Sequence, residues 1–293
     1  MNKPSGPTSN RVLQRLKKAA GSVKMGYLGT LDPLASGVLP ICVGWATKLI
    51  PFIPDAPKGY RAEMILGLTT DTQDITGKVL TRSDLPAPER KTLEEICQAF
   101  CGSRPQTPPV YSALKHRGQP LYRWARQGQP VVKPPRTVTI AALRITALRE
   151  NTVSLTVVCS PGTYIRTLCA DMGERLGCGA TMSALERFQS GPFTLEKALS
   201  PEVLEGVFGS GGTGACPVPL TEVLGMLPRV RLPESWRKKI REGRRVPAGD
   251  FQGGGLPGRK GPVCVQSETR ELWAIYQEAE DESGAGEPLR VLI

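Results

Sequence analysis

The sequence predicts an α+β fold in two domains, because its helix and strand patterns follow one another in an irregular order that does not suit a doubly wound sheet. The 293 residues are also too many for one compact core. A Gly-rich stretch at 207–218 separates the main part of the chain from a run of short strand patterns. We therefore expect a first domain at 1–226 and a small β-rich domain at 227–293.

The elements of the first domain follow from hydrophobic periodicity. A period of about 3.6 residues predicts helices at 9–20, with Ser9 as the N-cap, at 89–101, capped near Pro88, and at 166–177, ended by Gly177. Alternation of apolar and polar residues predicts strands at 60–68, 137–147 and 152–159.

The final part of the chain predicts a basic helix at its start and then short strands. The densely basic segment is 229–245, and the strand candidates are 262–266, 271–276 and 289–293. The acidic, Gly-containing stretch 278–287 predicts a solvated hairpin loop.

Composition points to a polyanionic partner. The net charge is +11, and cations that neutralise phosphates release counterions, although charge alone fits a merely basic surface equally well. No apolar run reaches the roughly 18 residues of a membrane span, and residues 1–20 lack the apolar core of a signal peptide. We expect a cytoplasmic protein without a membrane partner.

The cysteines and the single histidine exclude several kinds of site. None of the eight cysteines forms a Cys-x-x-Cys pair, which favours buried reduced thiols over disulfides or a zinc site. His116 alone cannot support catalysis that needs several histidines. Nucleotide-binding glycine motifs are absent, so nucleotide-cofactor chemistry has no support in the sequence, and the cysteine spacing leads us to expect no metal.

The basic residues surround one acid near the N-terminus. Asp32 is the first acidic residue, and the next is Asp55; the cations on either side include Lys3 and Lys48, which we expect to contact the substrate. In such a field the pKa of Asp32 should be depressed. On the helix at 9–20, Arg11, Arg15 and Lys18 share one face, which fits a solvated surface or an RNA contact.

A second stretch without acids runs from 96 to 149 and interleaves cations with Tyr111, Tyr122 and Trp124. Cations can hold a phosphate backbone while aromatic faces stack on unpaired bases. Its glycines and prolines break up regular structure. We interpret 115–136 as a mobile insertion that grips RNA; a disordered basic loop would look similar.

Asp32 lies in a loop of distinctive sequence, GYLGTLDPLASGVL at 26–39. Its glycines permit sharp turns and the close approach of a ligand, and Pro33 keeps Asp32 out of helical geometry. Asp-Pro is also an ordinary turn signal, so these residues alone fit a plain turn.

This loop closely resembles the signature of the TruB family of pseudouridine synthases, and further matches follow in order along the chain. They are KPSGPTS at 3–9, KGYRA at 58–62, TDTQD at 70–74, PVYSALK at 109–115 and GTYIRTL at 162–168. The resemblance implies a catalytic domain with a mixed, mainly antiparallel sheet flanked by helices. The C-terminal part more weakly resembles a PUA-like RNA-binding domain.

The resemblance also implies an activity and its residues. The activity is isomerisation of uridine to pseudouridine at position 55 in the T arm of tRNA, by base flipping and without a cofactor. Asp32 would be the essential carboxylate, Tyr60 would stack on the target base, and Leu185 would pack beside it. Both Tyr60 and Leu185 also fit plain core packing.

Three more residues complete the implied site. We expect Tyr164 and Arg166, two apart on a strand, to face one side, with Arg166 paired to Asp32. Tyr27 stands where the family usually has His, so it would grip the nucleotide by stacking.

Asp71 and Asp74 could suggest a metal loop, but structural capping fits better.

Three functional alternatives stay open at this stage. The enzyme could act on tRNA, act on another hairpin like the T arm, or serve as a tRNA-folding chaperone with dispensable catalysis. Asp32 could attack the base, attack the ribose or stabilise a separated sugar. We expect a monomer with tRNA as its partner and no protein partner.

Overall fold

The computed structural model describes residues 1–53, 56–84, 88–212, 218–252, 256, 261–281 and 283–293. It divides into two compact units, Met1–Ile41 with Asp55–Thr213 and Cys42–Pro54 with Gly214–Ile293. The expected domain boundary between 226 and 227 stays a prediction. Residues 213–217 of the expected linker, Cys216 among them, lie outside the described residues.

The elements up to residue 209 include a long mixed sheet and the helices beside it. The strands are β1 (Asn2–Lys3), β2 (Met25–Tyr27), β3 (Ser36–Val38), β4 (Ile41–Val43), β5 (Lys58–Leu66), β6 (Leu68–Thr70), β7 (Val79–Arg82), β8 (Gly102–Gln106), β9 (Lys115–His116), β10 (Gln119–Pro120), β11 (Arg136–Arg149), β12 (Thr152–Cys159), β13 (Ala180–Ser190) and β14 (Phe193–Thr194). The helices are α1 (Ser9–Ala20), α2 (Arg90–Phe100), α3 (Leu121–Arg126), α4 (Ile165–Leu176) and α5 (Pro201–Gly209), and a 3-10 helix spans Gly44–Phe52.

The main sheet confirms the expected fold class. Its strand order is β1-β3-β13-β5-β12-β11-β8, with β14 beside β13. Every neighbouring pair is antiparallel except β3 with β13. Helices α2 and α4 pack against β11 and β13. One continuous apolar core lies beneath them and includes Leu31, Tyr60 and Leu185.

Helix 9–20 forms as predicted, but its N-cap is Thr8 rather than Ser9. The Thr8 side chain accepts a hydrogen bond from the Arg11 backbone N–H. Ser9 instead points into the core, where its hydroxyl bonds to Leu31. Ser9 therefore links the helix to the loop that contains Leu31, a contact that capping preferences alone did not predict.

The strand expected at 60–68 ends early. β5 stops at Leu66, because Gly67 adopts a left-handed φ of 77° and turns the chain. Residues Leu68–Thr70 pair instead with Val79–Arg82 in a separate hairpin.

The segment 115–136 contains more regular structure than its glycines and prolines suggested. β9 and β10 form a short hairpin around Gly118, whose φ is 79°. Helix α3 follows directly, with Pro120 at its N-cap. These residues therefore begin elements as well as interrupt them; the expected mobility and RNA grip stay predictions.

The second unit is built on a four-stranded sheet. Besides the 3-10 helix Gly44–Phe52, its elements are α6 (Leu220–Val223), β15 (Arg229–Leu232), a 3-10 turn (Glu234–Trp236), α7 (Arg237–Arg241), a 3-10 turn (Ala248–Asp250), β16 (Val263–Ser267), β17 (Leu272–Glu278) and β18 (Gly286–Val291). The strands are ordered β15-β16-β17-β18 around the buried Trp273 and Tyr276.

The basic helix expected to open this region at 229–245 is wrong at its start. Arg229 and Arg231 are exposed while Val230 and Leu232 are buried, which is the alternation of a strand. The PUA-like nature of the region stays a prediction. Within the described ranges no helix is long and apolar enough to cross a membrane. The described cysteines are all free, and each is buried apart from Cys101, as expected.

Candidate active site

The loop that carries Asp32 is held from one side by the N-terminal segment. The Ser9 hydroxyl donates to Leu31 O and accepts from Leu31 N, both at 2.9 Å, on the residue before Asp32. On the residue after it, the Pro33 carbonyl accepts from Gly6 N at 2.8 Å. Ser5 Oγ donates to Leu34 O at 2.7 Å. These bonds fix the backbone on both sides of the carboxylate.

Lys3 completes this clamp from inside the protein. Its side chain is fully buried, and its ammonium donates to the carbonyls of Pro4 at 2.7 Å and Pro7 at 2.8 Å, with a weaker contact to Pro33 at 3.4 Å. Burial lowers the pKa of Lys3 to about 8, against the attraction of Asp32. The structure thus gives Lys3 a part in shaping the loop, and its contact with substrate stays a prediction.

Arg166 faces Asp32, as the sequence predicted, but from a helix rather than a strand. Tyr164 is the N-cap of α4 and Arg166 lies in its first turn, so the expected strand at this point is wrong. Arg166 Nε lies 3.2 Å from Asp32 Oδ2. The contact lacks hydrogen-bond alignment, since Nε has no hydrogen-bond partner.

The other nitrogens of Arg166 are occupied by backbone. Nη1 donates to Thr72 O at 3.2 Å and Nη2 donates to Tyr111 O at 2.6 Å. Only 4% of the Arg166 side chain is exposed, against 34% of Asp32. Two loops thereby aim a buried guanidinium at a half-buried carboxylate, which stays accessible to a ligand.

The pKa of Asp32 is raised above its ordinary value, which corrects the expected depression. Burial is the main cause, and Asp74 adds to it; Arg166 and Lys3 act in the opposite sense. The sequence displayed the surrounding cations but not the loss of hydration, and desolvation outweighs them here.

A row of directly opposed residues crosses four strands next to this loop. Lys3 pairs with Gly37, Gly37 with Arg187, and Arg187 with Tyr60. Arg187 is fully buried, donating from Nε to Val38 O and from Nη2 to Gly29 O, each at 2.8 Å. Gly37 is required because a Cβ there would lie 2.3 Å from Arg187 O.

Tyr60 lies in the core at the end of this row. Burial raises the pKa of its hydroxyl, while Arg187 opposes the rise through its charge and a hydrogen bond. Leu185 is also buried and faces Ala62 on the neighbouring strand. Both positions match the core alternative, and their contacts with a base stay predictions.

Tyr164 and Tyr27 both belong to the first unit. The Tyr164 backbone is held by Gln106, which accepts from Tyr164 N at 2.8 Å and donates to Tyr164 O at 3.0 Å. The guanidiniums of Arg136 and Arg166 lie 5.1 Å and 5.7 Å from its ring centroid. Tyr27 is half-buried at the end of β2 and packs against the core.

Lys48 belongs to a different unit from the residues described above. It is exposed on the 3-10 helix Gly44–Phe52, which belongs to the second unit. Its contact with substrate stays a prediction.

The two acids of the TDTQD turn have structural partners. Asp74 Oδ1 accepts from Thr76 N at 2.9 Å, from Thr76 Oγ1 at 2.5 Å and from Thr72 Oγ1 at 2.9 Å. Asp71 Oδ1 accepts from Lys78 N at 2.7 Å. This favours capping over a metal loop and stiffens the turn whose Thr72 carbonyl holds Arg166.

Sequence reasoning missed several of these supports. Ser9 was expected only to cap its helix, Gly37 lay inside a quoted motif without a predicted contact, and Gln106 gave no signal. No contact of Arg187 was predicted either. Its neighbour Glu186 forms a 2.7 Å ion pair with Arg61 at the surface. A charged residue inside an apolar strand pattern was the one available signal for Arg187.

Comparison with known proteins places this geometry in a family. Residues 17–165 match the N-terminal domain of the TruB family of pseudouridylate synthases, and 166–209 match the C-terminal domain of tRNA pseudouridylate synthase B. The tRNA pseudouridine synthase B of Syntrophus aciditrophicus (strain SB) is 44% identical over 243 residues, 83% of this chain and 78% of the relative.

A second relative and a solved structure agree. The tRNA pseudouridine synthase B of Stutzerimonas stutzeri (strain A1501) is 48% identical over 215 residues, 73% of this chain and 70% of the relative. The structure titled a Cbf5-Nop10-Gar1 complex includes a chain with a TM-score of 0.73 and 26% identity, covering 100% of this chain and 82% of that one. With the family matches spanning more than half of its residues, this chain belongs to the TruB family of pseudouridine synthases.

Proposed function

We propose that this enzyme isomerises uridine to pseudouridine at position 55 in the T arm of tRNA, with Asp32 as the essential carboxylate. The observation that carries the proposal is the Asp32–Arg166 pair, a half-buried carboxylate aimed by a buried guanidinium. The relatives named tRNA pseudouridine synthase B support tRNA as the substrate.

The reaction requires no external reactant. The bond between uracil N1 and ribose C1′ breaks, the base rotates, and a bond between C5 and C1′ forms. C5 loses its proton and N1 gains one, so neither electrons nor atoms are left over. The protein therefore has to detach the base, keep it in place while it turns, and remove the C5 proton.

The arrangement around Asp32 suits these tasks. Arg166 orients the carboxylate of Asp32 through its charge. Because Nε makes no aligned hydrogen bond, the Asp32 oxygens can approach the sugar or the base. Tyr60 and Leu185 would form the apolar floor under the uracil ring, and Tyr164 and Tyr27 its rim. Such a slot holds a flipped base by packing while leaving it free to rotate.

Extracting the base from the helical stack costs a few kcal/mol, which phosphate contacts must offset. On α1, Arg11 and Lys18 are exposed and free of ion pairs with described residues. Arg15 differs, because it pairs with Glu205 at 2.8 Å and Glu202 at 3.4 Å. We assign the phosphate contact to Arg11 and Lys18, and a gripping role to 115–136.

Tritium release from transcripts labelled with 5-³H-uridine tests the proposal, because the C5 proton leaves only if the new bond forms. We expect release by the wild type and by Asp84→Asn, an exposed control with the same change in charge. Asp32→Asn should release nothing while still binding tRNA. A transcript with cytidine at position 55 should release nothing with any variant.

Other outcomes separate the alternatives. Release from the cytidine-55 transcript would move the target to another uridine. Release by Asp32→Asn would refute the role of Asp32. Undiminished tRNA folding by Asp32→Asn, together with no release by the wild type, would identify a chaperone instead.

We still expect a cytoplasmic monomer that acts without a protein partner. Elution from a size-exclusion column at the mass of a single chain would agree with a monomer.

A further inference from the structure

An arginine-lined cavity lies in the second unit. Its volume is about 480 Å³, within the range of small-molecule sites. The described residues that line it are Arg229, Arg231, Gln252, Gln266 and Arg270. Neither a carboxylate nor an aromatic ring is among these residues.

Strand register builds the floor of the cavity. Arg231 on β15 pairs directly with Gln266 on β16, and on its other side with Gln252. Directly paired residues project from the same face of a sheet, so an amide, a guanidinium and a second amide stand in a row. Arg229, two residues before Arg231, adds a second guanidinium on that face.

The polar groups in this row are available to a ligand. Gln266 is only 5% exposed, yet its side chain borders the cavity and has no hydrogen-bond partner among the described residues. Its amide therefore opens into the cavity with its donor and acceptor free for a ligand. Gln252 is oriented by Glu268, which accepts from its Nε2 at 2.7 Å.

The three arginines that line the cavity are also available to a ligand. Within the described part of the chain, Arg229, Arg231 and Arg270 form no ion pair, and Arg229 donates only to Thr221 O, at 2.8 Å. Elsewhere in the unit Arg237, Arg244 and Arg245 each have an acidic partner. Three unpaired guanidiniums on one cavity favour an anion with several oxygens, such as a phosphate.

Arg270 holds an unusual backbone conformation. Its φ is 69°, a left-handed value that favours glycine, in the turn closed by a 3.0 Å bond from Arg270 N to Ser267 O. An arginine at this position strains the turn while placing its guanidinium at the cavity. Such strain concentrates where a side chain serves a ligand.

We propose that this cavity binds one phosphorylated nucleotide, with its phosphate held by the arginines and its base edge read by the glutamines. Each glutamine amide offers a donor and an acceptor, which match the edge of a nucleobase. Because no aromatic ring lines the described wall, the base is recognised at its edge rather than by stacking. The nucleotide belongs to an RNA strand or is free in solution, and the two sources share this chemistry.

Calorimetric titration of the full chain tests the site with adenosine monophosphate, inorganic phosphate and a short oligoadenylate. None contains uracil, so the measurement is independent of isomerisation and of the proposed function. We expect adenosine monophosphate to bind more tightly than phosphate. If the oligoadenylate binds more tightly than adenosine monophosphate, and this advantage is lost in the cavity variants, the nucleotide belongs to an RNA strand. If the two bind equally, the site takes a free nucleotide.

The variants separate binding from folding. Arg270→Gly removes a guanidinium and relieves the backbone, so nucleotide affinity should fall about tenfold while the melting temperature stays the same or rises. Arg231→Gln should weaken binding similarly and flatten its salt dependence. Gln266→Glu, nearly identical in shape, should weaken it further, since a carboxylate would then face the phosphate.

The control is Arg241→Gln, which removes an exposed charge from the same unit outside the cavity. It should leave nucleotide affinity within twofold of the wild type. The proposal is overturned if no titrant binds, if the cavity variants bind as tightly as the wild type, or if Arg241→Gln loses as much affinity as Arg231→Gln.

Discussion

Arg166 reaches Asp32 with its one nitrogen that no backbone carbonyl occupies, at 3.2 Å from Nε to Oδ2. Charge holds the pair together in the absence of an aligned hydrogen bond. Because the guanidinium is fixed by carbonyls of two loops, the orientation of Asp32 depends on residues far apart in the chain.

The pH dependence of catalysis should reveal this pair. Burial raises the pKa of Asp32 above its ordinary 3.8, and Arg166 opposes the rise. If the ionised carboxylate is the active form, kcat/KM will increase with pH through an acid limb above 3.8. Replacing Arg166 removes the opposing charge, so Arg166→Gln should move the limb to higher pH and lower the rate.

Tritium release measured across pH gives the limb, and Arg166→Lys is the matched control. Lysine keeps the charge, so the limb should shift less than in Arg166→Gln. Thermal denaturation of each variant shows whether the fold persists. An acid limb of kcat/KM at the same pH in the wild type, Arg166→Gln and Arg166→Lys would contradict the electrostatic coupling between Arg166 and Asp32.

Gly37 should be far less tolerant of alanine than Gly21. Both have left-handed φ values, 103° and 66°. A Cβ on Gly37 would meet Arg187 backbone at 2.3 Å, whereas one on Gly21 would meet nothing within 4 Å. We expect Gly21→Ala to destabilise by about 1 kcal/mol and Gly37→Ala by about 3 kcal/mol or more.

Urea denaturation of the two variants measures this difference. Equal losses in the free energy of unfolding would mean that backbone conformation alone, and not the close approach of β3 to β13, requires glycine at position 37.

Local periodicity explains why parts of this fold were predictable. α1 and β12 occupy the predicted residues, and α4 and β11 differ from them by one or two, because each has a clear apolar face. The Asp32–Arg166 pair was predicted from family resemblance even though Arg166 was placed on a strand. A correct contact therefore does not depend on a correct local element.

Long-range register and burial were not predictable in the same way. Nothing in the sequence near Gly37 indicates that Arg187 lies beside it, since they are joined by a parallel pairing of distant strands. The pKa of Asp32 was predicted in the wrong direction because charges can be counted along a chain, whereas desolvation depends on the folded loop.

Lys3 should make stability depend on alkaline pH. Its folded pKa is lowered to about 8 from 10.5, so between these values the unfolded chain binds more protons than the folded one. The contribution of Lys3 to the free energy of unfolding therefore rises with pH across this window, by roughly 3 kcal/mol at most. Below pH 8 Lys3 stays protonated in the folded protein, so the full cost of burying its charge lowers the free energy of unfolding.

Comparison with Lys3→Met isolates this contribution, since buried cysteines with raised pKa values, such as Cys97 at about 11, act in the opposite sense. We expect the wild type to gain stability relative to Lys3→Met from pH 8 to 10.5 in urea denaturation. A difference between the two proteins that does not change with pH would refute the lowered pKa.

Two arginines on one helix should differ in their effect on RNA binding. Arg11 is exposed and has no acidic partner among the described residues, whereas Arg15 is held by Glu202 and Glu205. A cation that contacts a phosphate releases about one counterion when it binds. Arg11→Gln should therefore reduce the slope of log Kd against log salt by about 0.7 to 0.9.

Arg15→Gln is the matched control, with the same loss of charge on the same helix. Its slope should equal that of the wild type, because a guanidinium already paired with two carboxylates is not free to contact phosphate. Binding of a T-arm hairpin to Asp32→Asn versions of both variants, at several salt concentrations, measures the slopes without turnover. A reduced slope in Arg15→Gln and an unchanged one in Arg11→Gln would mean that the ion pairs with α5 open when RNA binds, and that the phosphate contact lies at Arg15 instead.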